Sequence, residues 1–266
     1  QPPAHIAGPN GVALEPDGIH VLVADVLTGS IYRVNTQNEQ VSRIYQHEFG
    51  ANSARRDSGG AVWFSQSTRN NGPDSEARMF AAIDTRSLDG ALFRLAPVAA
   101  GESPMVAELK LSGLAFANGV AIDEARGELY VAETMANRII GYQFAVDTGT
   151  LTEGRVVAEL PTPDNIELDS LGRLWVASPI SNALLVVDPE SGSWSAVFHP
   201  ETEAQTSLLA DWKHRGESGE PRLELIGPDL WLPLPGLMTG MILTSEGGPV
   251  YLTGLADTLV KLSAQE

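Results

Sequence analysis

Four positions in this 266-residue chain carry a side-chain oxygen at the head of an apolar run that ends one short strand later. They are Asn10 in PNGVALEPDGIHVLVAD, Asn52 in NSARRDSGGAVWFSQ, Asn118 in NGVAIDEARGELYVAE and Asp164 in DNIELDSLGRLWVAS, with a weaker fifth copy at Thr239 in TGMILTSEGGPVYLTG. Amide and carboxylate oxygens are the donors a hard cation takes. If a repeating scaffold brings these positions together, the chain presents an oxygen-lined metal site with one acid in it. Asn before glycine is also a common turn residue, which by itself would account for Asn10 and Asn118. Asn52, however, is followed by Ser and Asp164 by Asn. Turn chemistry therefore does not explain the whole column.

Other chemistries are poorly supplied. The chain has no cysteine, so disulfides, thiolate catalysis and zinc–sulfur sites are excluded. The five histidines (His5, His20, His47, His199, His214) show no ligand spacing, which with the scarcity of acids in the column disfavours zinc or copper; only His47, shortly before Asn52, could approach the column. A formal charge of -17 argues against nucleic acid or an anionic membrane surface as partner. No apolar run approaches the roughly 18 residues of a membrane helix. A soluble protein, cytoplasmic rather than periplasmic or secreted, is the expectation; the oligomeric state is open.

The elements that must position the column are strands. Each head begins a strand, an Asp/Gly turn and a second strand, so each is a hairpin start. Further strands follow, SIYRV and QVSRIY after the first hairpin, ALFRL after the second, RIIGYQF and RVVAEL after the third, ALLVVD and SWSAVF after the fourth, and TLVKL after the fifth. Asn10 to Asn52 spans 42 residues and Asn118 to Asp164 spans 46, the length of one four-stranded propeller blade. Two spacings are longer. Between Asn52 and Asn118 the excess, STRNNGPDSEARMFAAIDTRSLDG, reads as a long polar loop. Between Asp164 and Thr239 the excess includes ETEAQTSLLADWKHRG, where Leu208, Leu209 and Trp212 predict a short helix near 203–214. The chain reads as a single all-β domain, 1–266, because one blade cannot bury both faces alone. Trp63 and Trp175 fall at matching positions and are expected in blade cores, while Met79, Phe80, Trp212 and Trp231 lie in the insertions and could line a pocket mouth. Asp25, Gln66 and Glu133 share one position at the end of the second strand, where a turn-acceptor role is the expectation.

Three stretches carry a resemblance: FANGVAIDEARGELYVAETMANRIIGYQF (116–144), LPTPDNIELDSLGRLWVASP (160–179) with its PDN triplet, and GAVWFSQST (60–68) followed by DGALFRL (89–95). Together they resemble the superfamily of calcium-dependent six-bladed β-propellers that includes SMP-30, gluconolactonases, paraoxonases and strictosidine synthase-like proteins. The resemblance implies a six-bladed propeller of which five repeats are visible here, an N-terminal blade with its Glu ligand being absent before Asn10. It implies an axial Ca²⁺ with Asn52, Asn118, Asp164 and Asn165 at ligand positions, and Asn10 and Asn52 against the substrate. Asn10 stands where paraoxonases have a histidine, and Glu246, in a turn, does not match the catalytic Glu of strictosidine synthases.

Such an ion polarises an ester or lactone carbonyl and stabilises the oxyanion formed when water attacks. Asp164, the one acid in the column, is the candidate for both ligand and general base. The expected activity is hydrolysis of lactones or related small esters, with a small organic molecule as substrate. Phosphotriester hydrolysis and a non-catalytic binding scaffold are the alternatives.

Overall fold

The computed structural model describes residues 6–98, 106–244 and 247–263; His5 and Glu246 lie outside them. Its strands form five antiparallel meanders, each hydrogen-bonded in sequence order. The first sheet is β1 (Pro9–Leu14), β2 (His20–Asp25), β3 (Ser30–Asn35) and β4 (Val41–Gln46), and the second is β5 (Ala54–Arg56), β6 (Val62–Gln66), β7 (Gly90–Leu95) and β8 (Glu108–Leu114). The third comprises β9 (Ala117–Asp123), β10 (Glu128–Glu133), β11 (Arg138–Ala145) and β12 (Thr150–Glu159). The fourth is β13 (Ile166–Leu168), β14 (Leu174–Ser178), β15 (Ala183–Val187) and β16 (Trp194–Phe198), and the three-stranded fifth is β17 (Leu237–Leu243), β18 (Val250–Leu255) and β19 (Val260–Leu262). These are the five repeats read from the sequence, and the arrangement is an all-β, five-bladed propeller array. β8 was not among the strands expected; its alternation is weak, with Leu109 exposed.

The hairpins owe their register to an aspartate. In β5–β6 the Asp57 carboxylate accepts the Ala61 backbone N–H at 2.8 Å and the Trp63 indole N–H at 2.9 Å. In β13–β14, Asp169 accepts the Arg173 backbone N–H and the Trp175 indole N–H, both at 2.9 Å. Each turn closes on a left-handed glycine, Gly60 at φ 89° and Gly172 at φ 74°, a conformation that costs a side-chain-bearing residue energy. The two tryptophans are thus pinned in their blades, as expected, and do not form a substrate platform.

Apolar residues pack one core per pair of neighbouring sheets. Leu22, Ile31, Val62 and Phe64 fill the first interface, and Trp63, Leu92, Leu129 and Val131 the second. Tyr130, Ile139, Leu174 and Leu185 fill the third, and Leu184, Met238, Met241 and Leu252 the fourth. Among the described residues no such core joins the fifth sheet to the first. There Val12 and Leu14 of β1 are 53% and 64% exposed, and Ile242 of β17 is 50% exposed. The sixth blade implied by the resemblance is not among the described residues.

Among the described residues, three α-helices interrupt the β pattern. The stretch expected as a long loop between β6 and β7 instead holds α1 (Ser75–Thr85). Met79, Phe80 and Ile83 recur at helical spacing there, a signal masked by the polar NNGPD run before it. The helix expected near 203–214 is α2 (Glu203–Ser218), opened by a reciprocal capping box between Thr202 and Gln205 and closed by left-handed Gly219. The single turn α3 (Pro228–Trp231) follows. Ile83, Ile180, Trp212, Leu230 and Leu237 form a fifth cluster that binds these helices to one end of the sheets.

Candidate functional site

The heads of the inner strands meet through their backbones. The Gly11 N–H donates to the Asn52 carbonyl at 2.8 Å, Gly119 to the Asp164 carbonyl at 3.2 Å, and Asn165 to the Thr239 carbonyl at 3.2 Å. The Ser65 hydroxyl reaches the Asn118 carbonyl across the remaining junction. Each repeat head is therefore stitched to the next, and the sequence column becomes a column in space. The closeness explains the Asn-Gly pairs. A Cβ at Gly119 would lie 2.5 Å from the Ile166 nitrogen and 2.7 Å from the Asp164 oxygen, and one at Gly11 would lie 2.6 Å from the Asn52 oxygen. Neither glycine has a left-handed φ. These pairs mark strand convergence, not turns.

The side chains of Asn52 and Asn118 are oriented by hydroxyl groups on the residue that follows the second strand. The Asn52 Nδ2 donates to Ser67 Oγ at 2.9 Å, and that hydroxyl donates to the Ala117 carbonyl at 2.8 Å. One blade on, the Asn118 Nδ2 donates to Thr134 Oγ1 at 3.2 Å, and that hydroxyl donates to the Pro163 carbonyl at 2.7 Å. Because each hydroxyl has spent its proton on a carbonyl, it can only accept from the amide. The Asn52 and Asn118 Oδ1 atoms are consequently turned away, buried and without any hydrogen-bond partner among the described residues. A buried acceptor left unpaired costs about 1–3 kcal/mol. Ser67 and Thr134 were not singled out from sequence, since their role depends on the neighbouring blade.

Asp164 lies with them. Burial pushes its carboxyl up to about 8, with the Asn118 amide and the Asn165 backbone N–H pulling the other way. Asn52 and Asn118, each with a partnerless buried amide oxygen, and the badly solvated Asp164 thus line a single cavity. This donor set fits a hard divalent cation, which takes neutral and anionic oxygens together; among the described residues the lining includes no His, and the chain has no Cys. Asn10 and Thr239 also line the cavity, Asn10 half-buried. Asn165 does not. Its Nδ2 donates to the Thr239 carbonyl at 2.9 Å and grazes the Asp164 carboxylate at 3.5 Å. It thus faces the acid with its nitrogen, so it stands outside the ligand set expected for it.

Backbone strain gathers at the same place. Phe116 at φ 61° and Thr162 at φ 35° hold left-handed conformations, each two residues before a column residue, and both line the cavity. Such outliers cost on the order of 1–3 kcal/mol and persist only where surroundings impose them.

The remaining candidates resolve into structural roles. Asp25 accepts backbone N–H groups from Ala7, Gly8, Leu27 and Thr28, and Glu133 caps the Ala115 N–H and pairs with Arg138. Gln66 is held by the Asp89 carbonyl and His47. His47 sits among Tyr45, Phe64 and Phe93, away from the column, and burial lowers its pKa. Glu15, Asp17 and His20 cluster at the first turn, but Arg33 and Arg56 already neutralise the acids.

The cavity measures about 330 Å³. Its floor is the column; its cover comes from the two insertions, with Met79, Phe80 and Ile83 of α1 and Trp212 of α2 on its wall. Trp231 packs behind that wall. The insertions are tied together, since Asp84 Oδ1 accepts the backbone N–H groups of Arg222 and Leu223 at 2.6 and 2.9 Å, and the Arg86 guanidinium donates to the Arg215 carbonyl. A wider cleft of about 1010 Å³, lined by Arg55, Glu167, Asp169, Trp175 and Ile242, is larger but chemically spent: Glu167 is paired with Arg55 and Asp169 with Arg173.

Known proteins share this architecture. A gluconolactonase of Xanthomonas campestris, described as important in glucose secondary metabolic pathways, superposes with a TM-score of 0.60 at 18% identity, over 92% of this chain and 69% of that one. The virginiamycin B lyase of Staphylococcus aureus superposes with a TM-score of 0.51 at 17% identity, over 98% of this chain and 71% of that one. At such identities the likeness is one of fold. In sequence, the protein Strictosidine synthase-like 10 of Arabidopsis thaliana is 44% identical over 73 residues, 27% of this chain and 19% of that protein's length. The profile of the SMP-30/gluconolactonase/LRE-like region matches residues 43–210, a span holding Asn52, Asn118 and Asp164 with the hydroxyls that orient them, and the chain belongs to that family.

Proposed function

We propose that the chain is a calcium-dependent hydrolase of lactones or related small esters, with the column as its active centre. The observation that carries the reading is the pair of buried, partnerless amide oxygens of Asn52 and Asn118 beside the desolvated Asp164 carboxyl. Those three residues would hold Ca²⁺, leaving the rest of its six to eight oxygen positions to water and substrate. When bound, such a cation supplies Lewis-acid polarisation of a carbonyl and makes nearby water more acidic. Asp164, ionised by the ion's charge, would accept the proton of the attacking water. Asn10, half-buried and lining the same cavity, would donate its amide N–H to the substrate's leaving oxygen. Membership of a family that includes a gluconolactonase-type region, and the fold shared with the Xanthomonas gluconolactonase, support the reaction class.

The test is hydrolysis of a lactone and ester panel, with a phosphotriester included, before and after chelation by EGTA. Activity should vanish with EGTA, return with calcium, and be lost in Asp164→Ala. Turnover indifferent to both treatments would sink the reading. Calcium binding without turnover of any substrate would favour a binding scaffold.

A further inference from the structure

Apart from the exposed Glu76 of α1, the polar side chains lining the cavity lie at or near its floor. On the wall, Met79, Phe80, Ile83, Met135, Ile180 and Trp212 present apolar surface from four separate segments. The polar atoms close to the floor are mostly committed elsewhere. The Thr134 hydroxyl is held between the Asn118 amide and the Pro163 carbonyl, and Thr162 Oγ1 accepts the Ile180 N–H at 3.3 Å. Glu76, the acid of the helical cover that lines the cavity, lies exposed at the start of α1. Among the described residues, nothing on the wall is arranged to receive a row of hydroxyl groups.

Resting on the proposed hydrolase reading, we infer that the substrate is a lactone or ester bearing an apolar alkyl or aryl substituent, which lies between α1 and α2, and that polyhydroxylated sugar lactones are rejected. A sugar lactone would bury several hydroxyls, and each one left without a partner weakens binding by roughly tenfold or more. An alkyl chain gains instead, by roughly fourfold per buried methylene. The wall is also held in place rather than loosely draped. Arg222, 3% exposed, stacks on the Trp212 ring at 4.6 Å, and its backbone N–H is fixed by Asp84 of α1. Trp212 and α1 therefore form one surface, and a rigid apolar wall selects by size as well as polarity.

The experiment is a series of γ-lactones, γ-butyrolactone, γ-hexalactone and γ-nonalactone, assayed beside glucono-δ-lactone with calcium present. The expected result is a kcat/KM that climbs roughly fourfold per methylene until the cavity is full, with glucono-δ-lactone at least about a hundredfold below the nonalactone. Phe80→Ala and Met79→Ala should each lower the nonalactone-to-butyrolactone ratio, a readout independent of how much folded protein is obtained. A flat series, or glucono-δ-lactone hydrolysed as well as the nonalactone, would overturn the inference. Should no lactone be hydrolysed, the hydrolase reading fails and selection is read from binding. Tryptophan quenching by the nonalactone alone then supports the apolar site, and quenching by neither or equally by both overturns it.

Discussion

Ser67 holds Asn52 by accepting its amide Nδ2 at 2.9 Å while donating its own proton to the Ala117 carbonyl of the next blade at 2.8 Å. This pair of bonds decides which end of the amide faces the cavity. Remove the hydroxyl and the amide is free to rotate, presenting nitrogen as readily as oxygen. Residues that orient metal ligands are typically worth 10–100-fold in affinity. Ser67→Ala should therefore weaken calcium binding by about tenfold, measured by calorimetry, with an unchanged circular dichroism spectrum. Ser67→Thr keeps the hydroxyl and should restore most of the affinity. Equal affinity in Ser67→Ala and the parent would mean that Asn52 is not a ligand.

Asp164 gives a prediction with a sign. Its folded carboxyl is raised by burial to about 8, against an ordinary 3.8. The folded state thus binds a proton more tightly than the unfolded chain, and the metal-free protein loses stability as pH rises from about 4 to about 8. Asp164→Asn removes the charge that burial disfavours. In EGTA at pH 8 the variant should melt at least about 2–4 °C above the parent, the shift that roughly 1 kcal/mol produces in a domain near this size, and the gap should close toward pH 4. With saturating calcium the order should invert, because only the parent gains the ion's stabilisation. A variant that melts lower than the parent in EGTA at pH 8 would show that Asp164 has a hidden partner.

The contrast between Asp164 and Asn165 shows what sequence reveals about this site and what it hides. Strands, the five repeats and the recurrence of an oxygen at the inner-strand heads were readable, because hydrophobic period and turn residues report local structure. That Asn165 presents nitrogen rather than oxygen was not. Its Nδ2 donates to the Thr239 carbonyl on the next blade and lies 3.5 Å from the Asp164 carboxylate, an orientation set by a partner 74 residues away that no local pattern reports. The same cause hid Ser67 and Thr134, whose partners lie 50 and 29 residues ahead, at Ala117 and Pro163. Helix α1 was hidden differently, its short apolar face of Met79, Phe80 and Ile83 outweighed by the turn-rich residues leading into it.

His47 sets the acid limit of the first interface. Burial lowers its pKa below the ordinary 6.5, opposed by its bond to Gln66 and the nearby Glu48 charge. Its ring lies 4.5 Å from Phe93 and 5.1 Å from Phe64, where a positive charge is poorly solvated. A depressed histidine contributes stability above its unfolded pKa that is lost as pH falls through its folded one. Thermal scans from pH 7.5 to 5 should show a decline in melting temperature that begins near 6.5. His47→Phe should flatten that decline whatever its effect at neutral pH. An identical slope in the variant would place the acid-sensitive group elsewhere.

Gly119 tests whether blade convergence, rather than turn formation, dictates the residue after Asn118. A methyl group there would meet the Ile166 nitrogen at 2.5 Å and the Asp164 carbonyl at 2.7 Å, both backbone atoms that cannot swing aside. Gly119→Ala must push the third and fourth sheets apart at the column, breaking the 3.2 Å bond from Gly119 to Asp164. Overpacking of this kind costs about 1–3 kcal/mol. Gly227, whose added Cβ would meet nothing within 4 Å and whose φ is -134°, is the control and should tolerate alanine within about 1 kcal/mol. Gly119→Ala should also weaken calcium binding, because it displaces Asn118 from Asp164 while removing no ligand atom. Were its stability and calcium affinity both unchanged, the two strand heads would not be packed as closely as the site requires.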